Sequence, residues 1–161
     1  MGDTMNWDAI GAISETIGAI AVVLTLIYLA AQIRRNTESG REAATINAII
    51  NFAYGTEELN RDPDMVKIYF DGRKDFHALQ QLERQRFGLF LTTIFHRFEI
   101  VLHQTRQGKI DEQAVDYMSG QMKSVFEGSG TREWWKGSRY QFKQEFQEYG
   151  DALISEIENN G

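Results

Sequence analysis

The residues whose types and spacing could bind a metal ion lie in the segment HRFEIVLH, residues 96–103. His96, Glu99 and His103 follow one another at steps of three and four, so a helix would bring them onto one side, as helical carboxylate–histidine sites require. A di-iron bundle needs a matching Glu-x-x-His pair on a second helix, and the sequence has none. On a helix the three side chains also fall about 100–160° from Phe98, the reference residue of the predicted apolar stripe. That stripe consists of Phe87, Leu91, Ile94, Phe98 and Leu102. A solvated face is therefore our main interpretation. A face that packs against a second helix or subunit, and a metal-binding helical face, are the alternatives.

A second candidate for chemistry is Glu15, the only charged side chain between Ala9 and Ile33. A charge at the centre of a bilayer costs about 2.5–3.5 kcal/mol on insertion scales, and less near the headgroups. One interpretation is that Glu15 is hydrated near the membrane surface. The other is that it hydrogen-bonds between subunits, and a homo-oligomeric pore in which Glu15 and Thr25 contact ions is the further alternative.

Composition excludes several other kinds of chemistry. The chain has no cysteine, so disulfides and cysteine nucleophiles are excluded. Glycine-rich phosphate loops and the G-x-S-x-G nucleophile motif are absent. Seventeen basic against 23 acidic residues give a net charge of −6, which disfavours nucleic-acid binding. We expect no enzymatic activity, no cofactor and no nucleic-acid partner.

The element that would carry Glu15 is an apolar N-terminal helix, which we assign to residues 7–35. The 25 residues 9–33 would extend for about 37 Å as a helix, enough to cross a hydrocarbon core of about 30 Å. Trp7 and Tyr28 suit the two membrane interfaces, and Arg34 and Arg35 follow the span, whereas no basic residue precedes it. The positive-inside rule then predicts a single pass with the N-terminus outside and the rest in the cytoplasm.

Small residues recur along this helix at helical spacing. We call them the small-residue seam: Gly11, Ser14, Gly18, Ala21 and Thr25, with Glu15 beside them. In lipid, small residues let helix backbones approach closely, and polar ones hydrogen-bond across the contact. The step of seven between Gly11, Gly18 and Thr25 favours left-handed packing. The pattern predicts a homo-oligomer assembled through the membrane helix.

Residues 36–161 predict a compact helical bundle, so the expected fold is all-α with one membrane anchor. The membrane helix either continues past Arg35 or restarts at Thr37 or Ser39. Asp62 and Pro63 begin a helix that stops at Gly72, and the longest helix ends at Gly108. Three more are expected: one from Asp111 to near Gly128, one capped by Thr131, and one over about residues 141–158.

Aromatic residues are densest in the last third of the chain. Because adjacent residues cannot share a helix face, we expect one of Trp134 and Trp135 in the core and the other exposed. A partner or membrane contact is the alternative for this pair. An apolar stripe at steps of four and three predicts a core face on the last helix: Phe142, Phe146, Tyr149, Leu153 and Ile157.

The N-terminal segment WDAIGAISETIGAIAVVLTLIYLAAQIRRNT, followed by HRFE, GKID and WW, resembles an uncharacterised family of small bacterial membrane proteins. The resemblance covers most of the chain, and IYLAAQIRRNT is its most specific part. It implies a bacterial inner-membrane protein with one N-terminal span and a helical cytoplasmic domain, and it implies no activity. We expect a self-associating protein in the lipid bilayer that acts as a non-enzymatic scaffold, with a protein partner at the bundle.

Overall fold

The computed structural model describes residues 7–160, and their fold confirms the all-α prediction. Six α-helices and one short 3-10 turn account for nearly all of these residues, and no strand occurs among them. The helices are α1 (Trp7–Arg61), α2 (Pro63–Lys74), α3 (Gln81–Arg106), α4 (Glu112–Glu127), α5 (Ser129–Ser138) and α6 (Gln144–Asn160).

Helix α1 runs for 55 residues without a break. Of the two alternatives, continuation and a restart at Thr37 or Ser39, the structure shows continuation. Thr37 Oγ1 donates to the carbonyl of Ile33 inside the helix, at 2.9 Å, instead of capping a new one. Backbone contacts nevertheless divide the chain after Gly40. We describe the N-terminal unit, up to Gly40, and the C-terminal unit, Arg41–Gly161, separately.

The N-terminal unit is the apolar part of α1. The most apolar 18-residue window of this helix has a mean hydropathy of 2.1, and none of that window is buried. Within residues 7–160 this is the one helix long and apolar enough to cross a membrane. Thr16 and Thr25 donate their hydroxyls to the carbonyls of Ala12 and Ala21, each at 2.8 Å, so both donors are satisfied within the helix.

The C-terminal unit packs around α3. Four of the five residues of its predicted stripe are buried, namely Phe87, Leu91, Phe98 and Leu102, and Ile94 is half-buried. Sequence reasoning missed Phe95, which is fully buried and lies within 5.0 Å of Phe126, centroid to centroid. Because several helices surround α3, its buried face is wider than a single stripe.

Helix α2 starts where the sequence predicts it and ends later. Asp62 accepts hydrogen bonds from the backbone N–H groups of Asp64 and Met65, and Pro63 is the first helical residue. The predicted stop at Gly72 is wrong, since the helix continues to Lys74. Gly72 serves packing instead: a Cβ there would lie 2.7 Å from the Phe87 ring.

Helices α5 and α6 begin elsewhere than predicted. Thr131 does not cap α5, because Gly128 precedes the helix and Thr131 lies fully buried inside it. Residues 139–141 form a 3-10 turn, so α6 starts at Gln144. The N-terminus of α5 abuts the C-terminus of α2, where Ser129 Oγ donates to the carbonyl of Lys74 at 2.7 Å. Opposite ends of two helix dipoles meet at this contact, which is the favourable arrangement.

The expectation that one tryptophan of α5 is exposed is wrong. Trp134 is 5% exposed and Trp135 1%, because this short helix has packing partners on more than one side. Trp135 Nε1 donates to Asp151 at 2.9 Å. Four phenylalanine rings lie within 6 Å of Trp135, centroid to centroid: Phe95, Phe126, Phe142 and Phe146.

The stripe predicted for the last helix is a core face. Phe142, which precedes α6, and Phe146 are buried, and Tyr149, Leu153 and Ile157 pack half-buried against the core. Burial raises the pKa of the Tyr149 hydroxyl, which also donates to Ser119 Oγ at 2.7 Å.

Candidate functional site

On the histidine–glutamate face of α3, Glu99 packs against another part of the C-terminal unit, whereas the His96 and His103 side chains are 44% and 43% exposed. The solvated face that we expected is therefore present only in part. The Glu99 side chain is only 12% exposed. Its Oε1 accepts the backbone N–H of Lys143 at 2.6 Å, and its Oε2 lies 3.1 Å from His96 Nδ1. The carbonyl of Lys143 accepts the first hydrogen bonds of α6, from Phe146 and Gln147. Glu99 therefore holds the residue from which α6 begins.

His103 is engaged separately from His96 and Glu99. Its Nε2 lies 2.8 Å from the Gln107 side-chain nitrogen, and its Nδ1 lies 4.0 Å from a Glu145 carboxylate oxygen. Arg106 also pairs with Glu145. Over residues 7–160, no group of three or more His, Asp or Glu side chains is arranged to hold a metal ion. The geometry thus gives the metal alternative no support.

The small-residue seam lies on a bare helix face. Gly11 and Gly18 have nothing within 4 Å of the position that a Cβ would occupy. The side chains of Ser14, Glu15 and Ala21 are exposed as well. Thr25 is exposed, although its hydroxyl hydrogen is committed to the carbonyl of Ala21. The structure brings these side chains onto α1 with open space around them, which leaves room for a second helix.

The residues expected at the membrane interfaces lie at the two ends of the apolar segment. Trp7 and Tyr28 are 69% and 66% exposed. Arg34 Nε lies 3.0 Å from the Glu38 carboxylate, one turn farther along α1. From Trp7 to Arg34 the helix rises about 40 Å, more than the hydrocarbon core of about 30 Å. The segment between these residues is therefore long enough to cross a membrane.

A groove in the C-terminal unit was not anticipated from the sequence. It encloses about 650 Å³ between the C-terminal part of α1 and helix α3. Its lining combines apolar and amide side chains, including Ala48, Asn51, Phe52, Val101 and Gln104. Arg97 crosses one wall and donates to the carbonyl of Asn51 at 3.1 Å. No local sequence pattern could reveal this groove, because the groove exists only where the two helices lie side by side.

Apolar side chains on the surface of the C-terminal unit form the other candidate contacts. On α1, Ile46, Ile50 and Tyr54 are 51%, 44% and 53% exposed. On α3, Leu82 and Leu89 lie seven residues apart and are 68% and 69% exposed. Since steps of three, four and seven return to one side of a helix, each set lies on a single face. Both faces are available to a partner.

One ion cluster joins the α2–α3 loop to α5. His77 Nε2 lies 3.5 Å from a Glu133 carboxylate oxygen, and Lys136 Nζ lies 3.5 Å from the other. The hydrogen bond with His77, together with the charge of Lys136, lowers the pKa of the Glu133 carboxyl. These side chains are largely exposed, so the cluster contributes little to stability.

Comparison with known proteins assigns no relative to this chain. No protein-family model, no curated protein and no solved structure matches it. The bacterial membrane-protein family that the N-terminal segment resembles therefore gains no support from these comparisons.

Proposed function

We propose that this chain is a self-associating membrane protein, anchored by α1, whose C-terminal helical unit acts as a non-enzymatic scaffold or interaction module. The observation that carries the proposal is the apolar part of α1, in which the most apolar 18-residue window has a mean hydropathy of 2.1 and none of that window is buried. An apolar surface of this extent is unfavourable in water and favourable in lipid.

The charges around the span support one orientation. Arg34 and Arg35 follow the apolar segment directly, and Arg41 follows within two turns. Such positive charge is retained on the cytoplasmic side. We therefore place the N-terminus outside the bacterial inner membrane and the C-terminal unit in the cytoplasm.

The small-residue seam supports association within the membrane. Two helices gain dispersion contacts only if their backbones come close, and the bare positions at Gly11 and Gly18 permit this approach. Glu15 lies beside the seam, so a second helix would cover it from lipid.

The C-terminal unit supports the scaffold part of the proposal. Its carboxylate and imidazole groups on α3 tie helices together, as Glu99 does at the start of α6. Its surface offers apolar side chains, such as Leu82 and Leu89, that a partner protein would bury. Binding to a partner is the role that these features favour.

Native mass spectrometry of the full chain in mild detergent tests the proposal. We expect a closed oligomer for the natural sequence and a shift towards monomer for Gly18→Leu, because the larger side chain keeps the backbones apart. Ala30→Leu is the control, since it places the same leucine side chain off the seam and should keep the oligomer. A monomeric natural chain, or an unchanged mass for Gly18→Leu, contradicts assembly through the seam.

A further inference from the structure

The groove between α1 and α3 lies entirely within the C-terminal unit, and hydrogen bonds fix the helix that forms one of its walls. Arg97 of α3 donates to the carbonyl of Asn51 at 3.1 Å. The backbone N–H of Asp111, which precedes α4, donates to Thr45 Oγ1 at 2.9 Å. Because these two bonds lie six residues apart along α1, they hold this segment beside α3 before any ligand enters. The groove volume of about 650 Å³ is in the range of about 300–1,000 Å³ that ligand sites occupy.

Side-chain amides line both walls of the groove. Asn47 and Asn51 lie one turn apart on α1, and Gln104 lies on α3. The bond from Arg97 uses the backbone carbonyl of Asn51, and within residues 7–160 none of the three side-chain amides has a hydrogen-bond partner. Each amide offers both a donor and an acceptor. The groove therefore presents unpaired hydrogen-bonding groups on two opposite sides.

The floor of the groove is apolar. Phe52 of α1 and Val101 of α3 are each 6% exposed, and Ala48 lines the groove beside them. A ligand that fills this groove has to combine apolar groups, which pack on the floor, with hydrogen-bonding groups along two edges.

An extended peptide meets both requirements. Asn47 and Asn51 lie about 6 Å apart along the axis of α1. In an extended chain, residues two positions apart are separated by about 6.6 Å, and the backbone N–H and C=O groups on each edge repeat with that period. The two asparagines can therefore bond successive backbone groups on one edge of a peptide, while Gln104 bonds the other edge. Side chains at alternate positions then point to the floor.

Other occupants fit the groove less well. A helix already bonds its own backbone N–H and C=O groups, so it would not use the amides of the walls. An acyl chain would cover these amides with groups that cannot form hydrogen bonds, which is unfavourable. Nucleic acid requires several cations, whereas Arg97 is the one cation among the described residues that line the groove.

We propose that the groove between α1 and α3 binds an extended segment of a partner protein that carries apolar side chains at alternate positions. The backbone of this segment pairs with Asn47, Asn51 and Gln104, and its apolar side chains pack on Phe52 and Val101. The inference rests on the interaction-module part of the proposed function, because it names the kind of partner that the C-terminal unit receives.

Selection of a phage-displayed library of random twelve-residue peptides on the full-length chain in mild detergent tests the proposal. We expect enriched sequences with apolar residues at every second position, the pattern of an extended ligand. Fluorescence anisotropy of a labelled synthetic copy then gives its dissociation constant. Enrichment of no sequence overturns the proposal. Enrichment of apolar residues at steps of three and four also overturns it, because that pattern indicates a helical ligand.

Asparagine substitutions locate the bound peptide. We expect Asn47→Ala and Asn51→Ala each to raise the dissociation constant roughly five- to tenfold, because each removes hydrogen bonds to the peptide backbone. Asn60→Ala is the matched control, since it makes the same change at an exposed position of α1 outside the groove and should leave the affinity unchanged. The fold should stay intact, because all three asparagines are exposed. Equal affinity in all these variants places the peptide elsewhere and overturns the proposal.

Methylation of the peptide backbone tests the hydrogen bonds from the other side. A synthetic copy of the enriched peptide that carries N-methyl groups at alternate residues lacks those backbone donors. We expect it to bind at least tenfold more weakly than the unmodified peptide. Unchanged affinity would show that side chains alone are recognised, which overturns the proposal.

Native mass spectrometry of the same preparation separates this inference from self-association. A monomer whose peptide binding depends on Asn47 and Asn51 supports the inference and contradicts association through the seam. An oligomer that enriches no peptide overturns the inference, while self-association stands.

Discussion

At the scale of single residues, Glu99 is the side chain whose observed role differs most from the role that its sequence neighbours predict. It accepts the N–H of Lys143 at 2.6 Å while only 12% exposed. We expect Glu99→Ala to destabilise the C-terminal unit by about 1–3 kcal/mol, since the N–H loses a charged acceptor at the start of α6. Thermal unfolding in detergent, followed by circular dichroism, measures the change.

Glu158→Ala is the control for this substitution, because Glu158 is exposed near the end of α6 and its loss should be nearly neutral. Equal melting temperatures for Glu99→Ala and the natural chain would show that the Glu99 contact carries no stability.

The ionisation of Asp62 makes the stability of the C-terminal unit depend on pH. The hydrogen bond from the Met65 backbone N–H and the charge of Arg86, 2.5 Å away, outweigh partial desolvation and hold the pKa of the Asp62 carboxyl below its ordinary value. A carboxyl group whose pKa is lower in the folded state than in the unfolded state stabilises the fold fully at pH values above its unfolded-state pKa. This stabilisation is lost as the pH falls through the folded-state pKa.

We therefore expect Asp62→Asn, which keeps a capping side chain but not the charge, to melt below the natural chain at pH 7. The difference should narrow as the pH falls below about 4. Melting curves between pH 3 and pH 7 provide the check. A difference that stays constant across this range means that the carboxylate charge is not the source of the effect.

The residues that could be predicted from sequence are those whose environment is local. Asp62 and Pro63 are recognisable because a cap and a first-turn proline act within four residues. Glu99 and Phe95 are not, since their surroundings come from residues more than 30 positions away, such as Lys143 and Phe126. Their spacing on α3 indicates which side they face, whereas their burial depends on which helices cover that side.

At the scale of elements, the contact between α2 and α5 depends on glycine at its closest point. A Cβ on Gly130 would overlap the carbonyl of Gly72 and lie 2.7 Å from the Phe76 nitrogen. We expect Gly130→Ala to destabilise the unit by about 1–3 kcal/mol, because backbone must move to admit the methyl group. Chemical or thermal unfolding of the purified protein measures it.

Gly120→Ala in α4 is the matched control. A Cβ there meets nothing within 4 Å, so the substitution should stabilise by roughly 0.5–1 kcal/mol through helix propensity alone. If both substitutions change stability in the same direction, close packing does not explain the glycine at residue 130.

The sequence predicted which segments are helical and how many helices there are. It predicted less well where each helix ends and which helices pack against it. Gly72 has the residue type of a helix end, yet α2 continues through it because Phe87 and Leu79 fill the space beside it. Likewise, adjacent tryptophans predict opposite faces, and both faces of α5 prove to be covered. In each case tertiary packing, which no local pattern encodes, determines the outcome.

At the scale of the whole molecule, the charges that flank the apolar segment predict its topology. Asn6→Cys and Leu89→Cys variants of this cysteine-free chain allow labelling of intact bacterial cells with a membrane-impermeant maleimide. We expect label at residue 6 and none at residue 89, where the side chain is 69% exposed and so would react if it were outside. Disrupted cells should label both, which controls for reactivity.

Moving the positive charges from the end of the apolar segment to its start should exchange which of the two residues is labelled in intact cells. Replacing Arg34 and Arg35 with Glu while changing Asp3 and Asp8 to Lys places the basic residues before the span, and the orientation follows them. Arg41 stays unchanged, because it lies 3.7 Å from Asp111 and its loss would disturb the C-terminal unit. Label at residue 89 in intact cells that carry the natural flanking charges contradicts the proposed topology. If neither residue is labelled in intact cells while both are labelled in disrupted cells, the segment does not cross the membrane, and the proposed anchor fails.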